Sequence, residues 1–151
     1  MERTPKENKG IYLFIYGTLL SGIPNRMEHI ISNHCEIISR AYVYGYLYDI
    51  NSYPGIKLSN DSNRKIWGEI LKVDTYKTLK ILDDYEEYGE DWPEPNEYIR
   101  KKTNVTIQAN NTEQAIETWI YEYNMPTDNL MLIENNCYRE YLKNIESNEI
   151  A

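Results

Sequence analysis

The sequence predicts an α+β domain built on a curved, mostly antiparallel sheet or barrel, and three observations carry that prediction. Apolar, tyrosine-rich runs with strand character recur along the chain. Helical patterns number three, and they do not alternate with strands as βαβ units would. The 151 residues fit one domain, long enough to bury roughly 68–70% of the unfolded surface. No internal repeat or linker interrupts them, so residues 10–145 are expected to form one unit, with 1–9 and 146–151 as flexible termini.

The elements follow in order. Residues 11–16, Ile-Tyr-Leu-Phe-Ile-Tyr, form a short apolar run that stops at Gly17, the pattern of a buried strand. A helix is expected after Pro24-Asn25, running to about Asn33. Residues 41–48 read as a strand whose central Gly45 marks a bulge or a close backbone contact. Residues 66–73 are a third strand. Asp74 or Thr75 can cap a helix that runs to about Glu86. Residues 98–108 and 115–123 form a pair joined by Asn110-Asn111, a hairpin turn dipeptide. A last helix is expected over roughly 129–144.

Net charge is −8. That disfavours nucleic acid and anionic membrane as partners, because phosphate surfaces are bound by clustered Lys and Arg. No stretch approaches the ~20 apolar residues that span a bilayer. The polar N-terminus lacks a signal-peptide core. Cys35 and Cys137 stand in no metal or redox motif, so a reduced, cytoplasmic protein is expected. His29 and His34, five apart, do not share a helical face for metal binding. Fifteen tyrosines against one phenylalanine supply rings for a core and hydroxyls for polar contacts.

Two stretches point to chemistry. On the middle helix, at 100° per residue with Leu79 at 0°, Glu86 falls at about 340°, between Leu79 and Leu82. Lys77, Lys80, Asp83, Asp84 and Glu87 occupy the polar arc. Of these acidic residues Glu86 alone is therefore expected to point inward. A carboxylate on an apolar face must be paired, protonated or solvated in a cleft. Burial would raise its pKa and suit it to proton transfer near neutral pH; a structural glutamate satisfied by a neighbouring Tyr, Arg or N–H is the alternative. The second stretch, Tyr16-Gly17-Thr18-Leu19-Leu20-Ser21-Gly22, follows a buried strand and precedes a helix. Its successive N–H groups can form an anion cradle, although many such turns only change direction. The Gly-Lys-Ser/Thr ending of a P-loop is missing. Between Asp83 and Glu97 stand eight acidic residues, expected as a solvated loop along one side of the cleft or as an attractor for a cationic group.

Tyr-Gly-Thr-Leu after an apolar strand, with Gly22 and Asn25, resembles the opening signature of the gamma-glutamylcyclotransferase-like family. Further blocks follow in that family's order: Gly45 to Asp49 with Tyr53-Pro54-Gly55, Trp67 to Ile70, Leu82-Asp83-Asp84-Tyr85-Glu86, Tyr98-Ile99-Arg100, and Trp119-Ile120-Tyr121. The resemblance covers roughly residues 11–124. It implies a single domain with a six-stranded barrel-like mixed sheet and helices packed outside. It also implies release of 5-oxoproline from a gamma-glutamyl amine, amide or peptide, with Glu86 as catalytic general acid/base and no cofactor. Tyr16, Gly17, Thr18 and Leu19 would line the substrate site, with Tyr98 beside them. The implied partner is a small gamma-glutamyl molecule, to a monomer or homodimer. A catalytically silent, small-ligand-binding or regulatory member of the same fold is the alternative. Glu87, where the family often has glycine, and Leu20, where a basic residue is common, depart from the pattern. The loss of a positive charge at Leu20 mildly disfavours an anionic leaving group.

Overall fold

The computed structural model describes residues 10–150, with seven strands and three helices. The strands are β1 (Ile11–Ile15), β2 (Cys35–Asp49), β3 (Pro54–Leu58), β4 (Lys65–Val73), β5 (Tyr98–Ala109), β6 (Thr112–Tyr123) and β7 (Met131–Ile133). The helices are α1 (Glu28–His34), α2 (Tyr76–Tyr85) and α3 (Tyr138–Ile150). The expected α+β barrel is present, with seven strands where six were expected. Five of them close on themselves in the order β2-β4-β1-β6-β5, the ring completed by Tyr42 of β2 pairing Thr106 of β5. All pairings are antiparallel except β1 with β6, which run parallel through Leu13↔Trp119 and Phe14↔Ile120. Leu13, Ile70, Leu71, Val105 and Ile120 are all fully buried in its core.

Strand β2 serves two partner sets in succession. Its first residues, from Cys35 to Tyr44, pair with β4; its last, from Gly45 to Asp49, pair with β3, and Leu47 to Asp49 also pair with β7. Gly45 sits where the partner changes, and a Cβ there would stand 2.6 Å from the Lys57 carbonyl oxygen. Only glycine lets the two backbones approach so closely. This extension brings Pro54, at the start of β3, to the end of the barrel.

The hairpin turn is as expected. Asn110 and Asn111 both adopt positive φ, 50° and 66°, the conformation a two-residue turn between twisted strands requires. The middle helix is capped by Thr75, whose Oγ1 accepts from the Thr78 N–H at 3.2 Å. Its apolar stripe, Leu79 and Leu82, is fully buried.

The end of the chain differs from expectation. The run from 129 is not helical: Met131–Ile133 is a strand on β2, and α3 begins only at Tyr138. Trp67 donates its N–H to the Asn136 carbonyl at 2.7 Å, so that carbonyl belongs to β4 rather than to a helical ladder. The helix then continues to Ile150, past the expected domain limit at 145. Residues 1–9 and 151, expected as termini, lie outside the described residues.

Candidate active site

The parallel pairing of β1 and β6 sets the ends of these strands side by side, and the start of β5 joins them through Tyr98↔Tyr123. The C-terminus of α2 and the start of β3 close over the same end. Between them lies a cavity of about 370 Å³. The residues singled out in the sequence, Tyr16, Gly17, Thr18, Leu19, Glu86 and Tyr98, all line it.

Glu86 is the C-cap of α2, its N–H bonded to the Leu82 carbonyl at 3.0 Å. Among the described residues its carboxylate has no hydrogen-bond or ionic partner. Burial, then the carboxylates of Glu97 and Asp83, push its pKa up from 4.5 to about 8. A carboxyl so placed exchanges a proton readily in the physiological range.

The loop after β1 is braced from three sides. Leu20 N–H bonds the Gly17 carbonyl at 3.0 Å. Ser21 donates its N–H and its hydroxyl to the two oxygens of Glu69, at 2.8 and 2.5 Å. Asn25 Nδ2 donates to the Thr18 carbonyl at 2.9 Å, while its Oδ1 accepts from Met27 N–H ahead of α1. The N–H groups of Gly17, Thr18 and Leu19 have no acceptor among the described residues, so three donors remain for an anionic or carbonyl oxygen. Gly17 is needed for approach rather than for a left-handed turn: a Cβ there would stand 2.7 Å from Pro54 Cγ.

The tyrosines are already engaged. Tyr16 donates its hydroxyl to the Tyr121 carbonyl at 2.6 Å and accepts from Ile56 N–H at 3.2 Å. Tyr98 donates to the Pro54 carbonyl at 2.6 Å. Burial raises the pKa of both phenols, so they stay neutral, giving the cavity ring surface rather than free hydroxyls. Thr18 Oγ1 pairs with the Tyr85 hydroxyl at 3.0 Å.

One sequence expectation needs correction. Glu86 is not alone in turning inward, because Asp83 is buried to 5% exposure and bonded to Arg100 and Tyr121. It sits at the edge of the polar arc, about 40° from Leu79, where a cross-sheet partner can draw it in. The acidic stretch runs along one side of the cavity, as expected. Glu87 and Glu97 line the cavity with Glu86, and Tyr53 donates its hydroxyl to Glu97 at 2.5 Å. The place of Glu97 had no periodic signal, since it belongs to an irregular segment before β5. Leu20 is a core residue, 1% exposed, and does not line the cavity. Among the described residues no group of His, Cys, Asp and Glu is arranged to hold a metal ion, and no helix is long and apolar enough to cross a membrane.

Residues 13–140 match the family model described as gamma-glutamyl cyclotransferase, AIG2-like. No curated protein matches the chain. Among solved structures, an AIG2-like protein from Mus musculus shares 21% identity, covers 85% of this chain and 88% of its own, and superimposes with a TM-score of 0.68. Protein ytfP from Escherichia coli shares 23% identity over 83% of this chain and 94% of its own, with a TM-score of 0.55. YkqA from Bacillus subtilis shares 20% over 91% of this chain but 43% of its own, with a TM-score of 0.63. At these identities the structural likenesses speak for the fold.

Proposed function

The chain belongs to the gamma-glutamyl cyclotransferase, AIG2-like family, and from that premise we propose that it releases 5-oxoproline from a small gamma-glutamyl amine, amide or peptide, with Glu86 as general acid/base. The observation that carries this reading is an unpartnered carboxyl with a pKa near 8, lining the same cavity as three free N–H donors.

The reaction is an intramolecular displacement. The α-nitrogen of the glutamyl group forms a bond to its own side-chain carbonyl carbon, and the bond from that carbon to the departing nitrogen breaks. The α-ammonium must first lose a proton. A carboxyl raised to about 8 is a much stronger base than an ordinary glutamate, so taking a proton from the α-ammonium is far less uphill than it would be for a solvated carboxylate. Of the three ammonium protons, one stays on the lactam nitrogen. Glu86 relays the others to the departing nitrogen, which leaves as an ammonium. The N–H groups of Gly17, Thr18 and Leu19 stabilise the oxyanion that develops at the attacked carbonyl. Ring closure supplies proximity, so the protein has to fold the substrate and move protons, and neither task needs a cofactor.

The lining also bears on the leaving group. Glu86, Glu87 and Glu97 are carboxylates, and among the described residues no lysine or arginine joins them. An anionic leaving group meets repulsion there, whereas a neutral or cationic amine does not.

Incubating the protein with gamma-glutamyl amines, gamma-glutamyl amino acids, gamma-glutamyl-ε-lysine and glutathione, and measuring 5-oxoproline by mass spectrometry, tests the reading. Product that vanishes in Glu86→Gln is expected. No product from any member, with ligand still bound in the cavity, would establish the silent binding protein instead.

A further inference from the structure

Three residues before Glu86, on the same face of the last helical turn, Asp83 makes the most heavily bonded carboxylate of the described residues. Its Oδ1 accepts from Arg100 Nε at 2.7 Å and from the Tyr121 hydroxyl at 2.7 Å, and its Oδ2 accepts from Arg100 Nη2 at 3.2 Å. The Arg100 guanidinium lies 4.2 Å from the Trp119 ring centroid and 5.6 Å from that of Tyr88. Both partners of the ion pair are largely shielded from water. Tyr88 N–H in turn bonds the Asp83 carbonyl at 2.9 Å, tying the turn after α2 to the same residue. A forked, ring-stacked pair of this kind fixes orientation as well as charge.

We propose that Arg100 is a positioning residue for the reaction: by clamping Asp83 with both guanidinium nitrogens it fixes the last turn of α2 and offsets part of the charge that Asp83 imposes on Glu86. The proposal rests on Glu86 being the proton carrier. The groups around Glu86 come from every neighbouring element. Glu97 precedes β5 and Glu87 follows directly. The phenols of Tyr16, Tyr98 and Tyr121 stand at the ends of β1, β5 and β6. Burial, the leading cause in each, raises the pKa of all three phenols, so none carries charge. Both Glu97 and Asp83 push Glu86 toward its protonated form. Among the described residues only Asp83 has a shielded cation joined to it, so there a charge facing Glu86 can be uncovered as well as removed.

The two partners therefore have opposite effects. Arg100→Gln leaves Asp83 uncompensated and moves the Glu86 titration midpoint up, by about one pH unit. Asp83→Asn removes the repulsion and leaves a free guanidinium, moving it down by about as much. Arg100→Lys keeps the charge and should hold the midpoint while lowering kcat through loss of the fork.

The experiment reads the Glu86 carboxyl by carbon NMR in glutamate-labelled protein, alongside pH profiles of kcat/KM for 5-oxoproline release. Opposite shifts in Arg100→Gln and Asp83→Asn are expected in both. Unchanged midpoints, or shifts of the same sign, would overturn the proposal. Should Arg100→Gln fail to fold, Asp83→Asn and Arg100→Lys still decide, since the proposal requires a lowered midpoint in one and an unmoved one in the other. The NMR midpoint is read without turnover, so an inactive protein would sink the cyclotransferase reading while leaving the charge coupling separately judged.

Discussion

The Tyr16 hydroxyl donates to the Tyr121 carbonyl at 2.6 Å, joining the ends of the two parallel strands at the point where both reach the cavity. The same oxygen accepts from Ile56 N–H at 3.2 Å, so one phenol binds β1, β6 and β3 together. The tyrosine ring fills the cavity wall while its hydroxyl replaces a main-chain contact that the barrel end leaves open.

Tyr16→Phe should keep the ring and lose the knot. The Ile56 N–H is then buried without an acceptor, which costs about 1–3 kcal/mol. Urea unfolding would show that loss as a lower midpoint at unchanged slope. Stability equal to the parent would mean that water or a rearranged β3 satisfies the donor.

Glu86→Gln should abolish turnover and stabilise the protein, with a pH dependence of defined sign. A carboxyl whose pKa rises from 4.5 to about 8 on folding binds its proton more tightly in the folded chain. Its favourable contribution is full below pH 4.5 and is lost as pH rises through 8. The glutamine variant should therefore gain on the order of 4 kcal/mol over the parent at pH 8 and about nothing at pH 4. Thermal melts at the two pH values check this. Equal gain at both would show that the substitution acts through packing instead. Activity of the parent should rise with pH along an acid limb centred near 8.

How far the sequence could be read follows from which forces act locally. Helical phase set Glu86 beside Leu79 and Leu82, because the same apolar contacts that bury those leucines orient the turn. It put Asp83 outside, because its partner Arg100 is 17 residues away on β5 and leaves no mark on the helix pattern. Asn110-Asn111 declared its turn through a local φ requirement. The apolar run Leu130 to Ile133 did not declare its state. Four such residues suit a helix or a strand, and pairing with Leu47 to Asp49 decided for a strand. Glu97 was invisible for a similar reason: an irregular segment delivers it to the cavity, and only the fold says where that segment returns.

Glu69→Gln tests the brace beneath the loop. Glu69 is buried, accepts twice from Ser21, and lies 3.5 Å from Arg139 Nη2. An amide keeps one accepting oxygen and turns a donor toward the other site, so the substitution should cost about 1–3 kcal/mol. Because Ser21 follows the donors of Gly17 to Leu19, kcat should fall along with stability, and hydrogen exchange at Ser21 N–H should speed up. Arg139→Gln, which removes a partly exposed charge, should cost under about 1 kcal/mol. If the two variants proved equally disruptive, Arg139, which also donates to the Ser21 carbonyl at 2.7 Å, would hold the loop as firmly as Glu69 does.

Glu87→Gly bears on both stability and selectivity. Glu86 caps α2, Glu87 N–H bonds the Asp84 carbonyl at 3.1 Å, and Tyr88 N–H bonds that of Asp83 at 2.9 Å. That pattern closes a helix through a left-handed residue, and Glu87 occupies it with φ of 56°. A side chain there costs about 1 kcal/mol relative to glycine, so the variant should be more stable by about that amount. The strained residue also presents a carboxylate to the cavity. If that charge draws a cationic leaving group, the variant should raise KM for gamma-glutamyl compounds of cationic amines and leave KM for neutral ones unchanged. Parallel Michaelis curves for a cationic and a neutral substrate, with urea unfolding of the same samples, separate the two effects. A stabilised variant with both KM values unmoved would leave the strain without a role in substrate choice.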